Sequence, residues 1–275
     1  MYSCFHLTRL DSVQRETALD QRDQIALAAS ARIAADLRAL GVRAGDVVLV
    51  HASFKSLGPV AGGLETVFCG LAESVGSEGT LLLPALSYMQ EPHHIHDARS
   101  TPCCVGALPE YVRLRQGTLR SLHPTHSLCG IGRHAEALFA EHHRDHTPCG
   151  PHSPFRRMID LGAKIVMLGC GLRPNTTMHA LEECVEPPYV FGEQRIYHIT
   201  DLQGHSYEKA YVQHGFDGWI QRYDRVADLP QAADFMRRGR VLEAETYVIE
   251  TPQLKEAAVE AMQQSPFYFV EREST

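Results

Sequence analysis

The sequence predicts an α/β fold with an antiparallel subregion in its C-terminal third, on three observations. Continuous apolar runs, Val47-Val48-Leu49-Val50 and Ile165-Val166-Met167-Leu168, have the composition of strands buried on both faces. Segments with apolar residues at helical spacing alternate with such runs. Beyond Tyr189 the pattern changes, and residues 195–200 and 205–212, joined across Asp201-Leu202-Gln203-Gly204, read as a hairpin.

Residues 1–19 carry little pattern and are expected to be a poorly specified leader, with a single domain over 20–275. From about 20 to 40 the chain is rich in alanine and leucine at helical spacing, with Arg and Asp on the other face. Gly41 and Gly45 flank the turn into the first strand. A helix over 64–75 and a strand over 80–83 follow, separated by Gly76 and Gly79. Residues 84–105 hold proline and histidine without an apolar period, as a long loop at an active-site mouth would. A helix over 106–115, a short strand over 128–131 and a helix over 135–142 come next. Ser153-Pro154 opens another helix, because serine can cap it and proline suits its first turn. Strand 164–168 leads through Gly169-Cys170-Gly171 to a helix carrying His179 and Glu182. Residues 216–225 and 230–237 read as helical and 240–249 as a strand, and Thr251-Pro252 opens a terminal helix to 263.

Composition excludes several classes. Of 275 residues, 44% are hydrophobic and 21% charged, ordinary for a globular protein. No apolar run approaches the roughly 20 residues of a membrane span, and the first residues lack the parts of a signal peptide, so a cytoplasmic protein is expected. The 8 cysteines are irregularly spaced, with no Cys-x-x-Cys, and read as thiols. A net charge of -7 argues against a nucleic-acid partner.

Four segments could carry chemistry. His179 and Glu182 stand three apart on one helix face, so the carboxylate can orient the imidazole as a general base. Glu183 points about 100° away around the helix, which makes Glu182 the partner. The loop from Ser53 to Gly63 follows a buried strand and precedes a helix; on residues alone it is an ordinary connection before it is a phosphate cradle. His123-Pro124-Thr125-His126-Ser127 is a turn whose hydroxyls could meet a ligand or the local backbone. His152-Ser153-Pro154-Phe155-Arg156-Arg157 sets two arginines in a helix start, a phosphate anchor or a solvated basic face. The histidine-dense stretches 93–97 and 142–146 lack the spacing of helical zinc sites, and no metal is expected. Cys170 follows a strand but lacks the residue pattern of a nucleophile turn.

In order and spacing these segments, with Gly79-Thr-Leu-Leu-Leu-Pro84 and Asn175-Thr-Thr-Met-His179-Ala-Leu-Glu182, resemble the aminoglycoside 3-N-acetyltransferase family from about 37 to 224. The resemblance implies a central mixed sheet flanked by helices, and transfer of an acetyl group from acetyl-coenzyme A to an amine. It implies His179 as general base and Glu182 as its partner. Ser53, Phe54, Lys55, Ser56, Gly58, Val60, Gly62, Gly63, Thr125, Ser127, Ser153 and Arg157 would line the coenzyme channel. The acceptor side would be built from residues 88–97, 183–189 and the segment through His214, Asp217 and Asp224, with Tyr88, Glu183, His214 and Asp217 as contacts. A homodimer is compatible with the resemblance; a nucleic-acid or membrane partner is not expected. The alternatives are a biosynthetic acyltransferase acting on another amino-sugar, amine or hydroxyl, and a metal- or cysteine-dependent hydrolase.

Overall fold

The computed structural model describes residues 7–91 and 93–273, with side chains from residue 21 onward. Helix α1 (Leu7–Ala39) leads into β1 (Val47–Ala52), and α2 (Gly63–Val75) into β2 (Thr80–Pro84). Then come β3 (Ile95–Asp97), α3 (Ala107–Arg113), β4 (Leu119–Arg120), β5 (Leu128–Gly132), α4 (Ala135–Phe139), α5 (Pro154–Asp160), β6 (Lys164–Leu168) and α6 (Thr177–Val185). The C-terminal third holds β7 (Phe191–Thr200), β8 (Ser206–His214), β9 (Trp219–Gln221), α7 (Ala232–Phe235), β10 (Met236–Val241), β11 (Ala244–Glu250), α8 (Thr251–Gln264) and β12 (Val270–Arg272).

The main sheet is mixed, in the order β10-β11-β6-β1-β2-β5-β4. Its centre is parallel: β1 pairs with β2 on one side and β6 on the other, while β11 and β5 run antiparallel to their neighbours. Alternation along β1 explains its unbroken apolar run. Val47 and Leu49 join Ile165 and Met167 in the core against α4 to α8. Val48 and Val50 join Val166 and Leu168 in the core against α1 to α3. The α1–α2 contact needs glycine at 70, where a Cβ would sit 2.7 Å from Ile33 Cβ and 2.8 Å from the Ser30 carbonyl.

Several sequence expectations hold at the level of elements: the apolar strands, the hairpin as β7–β8, and the Ser153 cap, whose hydroxyl accepts from Phe155 N–H. Others need correction. Residues 7–19 of the expected leader form the first turns of α1, and 1–6 lie outside the described residues. The loop 84–105 contains β3, which adds in parallel to β7 in a second, three-stranded sheet. Helix 135–142 ends at Phe139, and a separate 3-10 turn covers His142–Arg144. Residues 216–225 are not a helix: Trp219–Gln221 forms β9 against β12, with the Arg272 guanidinium 4.0 Å over the Trp219 ring, and Tyr223–Asp228 is a 3-10 turn. Only Ala232–Phe235 is helical in 230–237, and the strand expected over 240–249 is the turn of the β10–β11 hairpin plus β11.

Candidate active site

Because β1 and β6 run parallel with Ala52 opposite Leu168, the connections that follow them leave the same edge of the sheet. Ligands bind at such edges in α/β folds. The Ser53 N–H donates to the Leu168 carbonyl at 2.9 Å, and Ser56 Oγ lies 2.8 Å from the Gly169 carbonyl. Gly169 takes φ +68°, and a Cβ there would stand 2.5 Å from Ser56 Cβ. The glycine therefore does two things: it allows the turn and it lets the β1 connection close onto it.

Helix α6 begins just beyond and places His179 and Glu182 one turn apart. Glu182 Oε2 lies 3.2 Å from His179 Nδ1, and the carboxylate is fully buried. Two phenols complete its shell. Tyr189 donates to Oε1 at 2.9 Å, and Tyr223 donates to Oε2 at 2.7 Å while its oxygen stands 2.9 Å from His179 Nδ1. Burial, with the Glu182 charge beside them, pushes both phenols up, so they remain donors. A carboxylate only accepts hydrogen bonds, so the hydrogen on His179 belongs on Nδ1 and the lone pair on Nε2. The ring lines a cleft of about 490 Å³.

The same cleft is lined by His126, Thr125, Tyr88, Arg173, His214, Phe216 and Tyr223. The His214 ring lies 4.4 Å from that of His179, and its Nε2 is 2.8 Å from Glu183 Oε1. Glu183 is also held by the Thr147 hydroxyl at 2.5 Å and the Cys149 N–H at 2.7 Å. Burial raises the Glu183 carboxyl above its usual range and pushes His214 and His126 well below theirs, with neighbouring imidazoles adding to the effect. Two adjacent glutamates of α6 thus serve two adjacent imidazoles. Thr125 Oγ1 stands 2.8 Å from His126 Nδ1.

The profile of the aminoglycoside 3-N-acetyltransferase family matches residues 49–263, most of the chain. The chain belongs to that family. It is 31% identical to aminoglycoside N(3)-acetyltransferase VII of Streptomyces paromomycinus, over 85% of this chain and 91% of that one. Its fold matches the crystal structure of aminoglycoside acetyltransferase AAC(3)-Xa with a TM-score of 0.76 at 27% identity, covering 86% of this chain and 92% of that one. It matches AAC-IIIb in binary complex with CoASH with a TM-score of 0.74 at 25% identity, covering 84% and 95%. The protein is accordingly an acyltransferase, and the mixed sheet flanked by helices is the family's architecture.

In this acetyltransferase only some of the expected site residues share the cleft. His179, Thr125, Tyr88 and His214 line the cleft, and Glu182 and Glu183 stand behind the two imidazoles. Ser53, Phe54, Lys55, Ser56, Gly58, Val60 and Gly62 belong to the β1–α2 connection and Gly63 opens α2, all outside the lining of that cleft. Ser127 and Ser153 are fully buried. Ser127 donates to the Ala85 carbonyl at 2.8 Å and accepts from Arg120 Nε, and Ser153 caps α5. Arg157 faces Glu141 at 3.5 Å. Asp217 is exposed and outside the cleft lining, and Asp224 pairs with Arg222 at 2.9 Å and Arg173 at 3.3 Å. Sequence reasoning gives Tyr223 and Phe216 no role beyond lying in the acceptor segment, has His126 only as part of the His123–Ser127 turn, and has Tyr189 only as the end of the segment 183–189. Of the two histidine-dense stretches, 93–97 contributes nothing to this cleft lining and neither does 142–146.

The surroundings of Cys170 disfavour the thiolate that a nucleophile needs. Its thiol lies 3.4 Å from the His51 carbonyl, and burial pushes it up to about 11. Among the described residues no helix is long and apolar enough to cross a membrane.

Proposed function

We propose that the protein transfers the acetyl group of acetyl-coenzyme A to an amine of an aminoglycoside, the 3-amino group of 2-deoxystreptamine. His179 acts as general base and Glu182 orients it. One observation carries this reading: Nδ1 of His179 is held by Glu182 and Tyr223 while the ring faces the cleft. An alkylammonium cannot attack a thioester until it has lost one proton to solvent, and Nε2 is the available acceptor for the second proton, which leaves the nitrogen as it attacks. The amine nitrogen then bonds to the thioester carbonyl carbon, and the C–S bond breaks as the tetrahedral intermediate collapses. The leaving thiolate takes a proton from the imidazolium. No enzyme nucleophile is needed.

Backbone N–H groups in a glycine turn are the donors we expect for the oxyanion. The Gly169 N–H is not among them, because it already donates to the Glu245 carbonyl at 2.9 Å. The coenzyme is assigned to the β1–α2 connection, Thr125 and the start of α5, on the family resemblance and on the shared sheet edge. The Ser127 hydroxyl, buried and already bonded to Arg120 and the Ala85 carbonyl, is left out of that assignment.

A second reading is favoured by the cleft wall. Among the described residues no aspartate or glutamate lines it; its polar groups are imidazoles, phenols, amides, hydroxyls and Arg173. A less cationic amino-sugar, amine or hydroxyl acceptor would suit that wall. Thiol release from acetyl-coenzyme A, measured across aminoglycosides and simple amino-sugars, separates the two, with NMR locating the new acetyl group. Acetylation at the 3-amino position supports the first reading. Turnover confined to acceptors other than aminoglycosides overturns it in favour of the second.

A further inference from the structure

Three imidazoles from three separate segments meet in the cleft: His126 between β4 and β5, His179 on α6, and His214 at the end of β8. One ring nitrogen of each lies within 4.8 Å of one in each of the others. One nitrogen of each ring is held by a neighbouring side chain. Glu182 and Tyr223 hold His179 Nδ1, Glu183 Oε1 holds His214 Nε2 at 2.8 Å, and Thr125 Oγ1 holds His126 Nδ1 at 2.8 Å. In the two carboxylate pairs the held nitrogen carries the hydrogen, so the opposite nitrogen keeps its lone pair. His214 Nδ1 is buried with no hydrogen-bond partner, in a side chain only 7% exposed.

We propose that His126, His179 and His214 form a three-nitrogen binding site for zinc(II) and chemically similar divalent ions. Neutral imidazole suits zinc, copper, nickel and cobalt, whereas magnesium and calcium take oxygen ligands. Carboxylates behind metal-ligating imidazoles fix their tautomer and raise their basicity, and here two of the three rings have one. Glu182 and Glu183 also supply the negative charge that the neutral rings lack. A fourth position would face the cleft.

Zinc–imidazole bonds of about 2.0–2.1 Å in a tetrahedral site set ligand nitrogens roughly 3.3 Å apart. The widest pair here must therefore close, by turning the His179 and His214 rings, which now stand 30° apart in plane. Binding has a direct consequence for the reaction proposed above. The Nε2 lone pair of His179 cannot hold a metal ion and accept a proton together, so the ion inhibits and is not a cofactor. That consequence rests on the proposed function; metal binding itself does not.

The test is a titration of the chelator-stripped full chain with cobalt(II), read by visible absorption, followed by displacement with zinc(II). The expected result is one cobalt per chain with a d–d band of nitrogen ligation, displaced by zinc and not by magnesium. His126→Ala and His214→Ala should each weaken zinc binding by at least tenfold. Glu183→Gln, which keeps all three rings, should weaken it by about 10–100-fold, with folding checked by circular dichroism. Zinc should then inhibit acetyl transfer over the concentration range in which it binds. No ligation band, or binding that survives both histidine variants unchanged, would overturn the proposal even where acetyl transfer proceeds as proposed.

Discussion

Tyr223 donates its phenol hydrogen to Glu182 at 2.7 Å across 41 residues of sequence, from a 3-10 turn to the buried face of α6. The bond joins the C-terminal third of the chain to the strand–turn–helix unit that carries His179. Removing that donor leaves a buried carboxylate under-satisfied, and hydrogen bonds to charged groups are worth about 1.5–3 kcal/mol. Tyr223→Phe keeps the ring packing and should lower kcat by roughly 10–100-fold, the same energy expressed as a rate. Coenzyme A affinity should stay unchanged; steady-state kinetics beside calorimetric titration would show the split.

Gly169→Ala should act differently. The added Cβ meets Ser56 Cβ at 2.5 Å and Ala244 Cβ at 3.1 Å, and φ +68° is strained for alanine. We expect a loss of roughly 1–3 kcal/mol in stability from the backbone strain. The displaced β1 connection should also raise KM for acetyl-coenzyme A more than it lowers kcat. A fall in kcat alone would argue that the connection does not touch the coenzyme.

Cys170→Ser should retain activity within about twofold, because a thiol pushed up to about 11 is protonated at neutral pH. Alkylation of Cys170 should not be accelerated by acetyl-coenzyme A, and no acetylated cysteine should be trapped by quenching during turnover. A burst of acyl-enzyme would contradict the direct-transfer mechanism.

Acid should destabilise the fold through buried imidazoles. Burial lowers His51 to about 4, and lowers His142 and His96 to about 3. Each is lowered below its unfolded value of 6.5, so the unfolded chain binds the extra protons and stability falls as pH drops from 6.5 toward 4. Each imidazole contributes about 1.4 kcal/mol per pH unit across that window. Glu183, whose carboxyl burial raises, works in the opposite sense above the usual carboxylate range. Urea unfolding at several pH values should therefore show a midpoint that declines steeply below pH 6.5. A flat profile between 6.5 and 4 would mean that these rings are solvated.

How much of this was legible in the chain follows from the range of the interactions. The parallel centre of the sheet was, because strands buried on both faces leave continuous apolar runs such as 47–50 and 165–168. The His179–Glu182 pair was too, since residues three apart on a helix are neighbours whatever the fold. Tyr223 was not. It reaches Glu182 from a turn that directly follows β9, and β9 pairs with β12, a contact between distant segments that overrides the helix-like spacing of 216–225. The β10–β11 turn was hidden for a local reason: Leu242 takes φ +51°, where a glycine or asparagine would have marked the reversal. The convergence of His126 and His214 on His179 likewise depends on how the second sheet packs against the first.

The central claim is that His179 is the base, and turnover compared with coenzyme affinity tests it most directly. Acetyl transfer should be measured for wild type, His179→Ala and Glu182→Gln, each alongside the dissociation constant for coenzyme A. Loss of general-base catalysis should lower kcat by about 10²–10⁴-fold in His179→Ala. Coenzyme A affinity should change little in either variant. If affinity falls in proportion to turnover, or if His179→Ala turns over at the wild-type rate, His179 is not the base and the proton acceptor lies elsewhere.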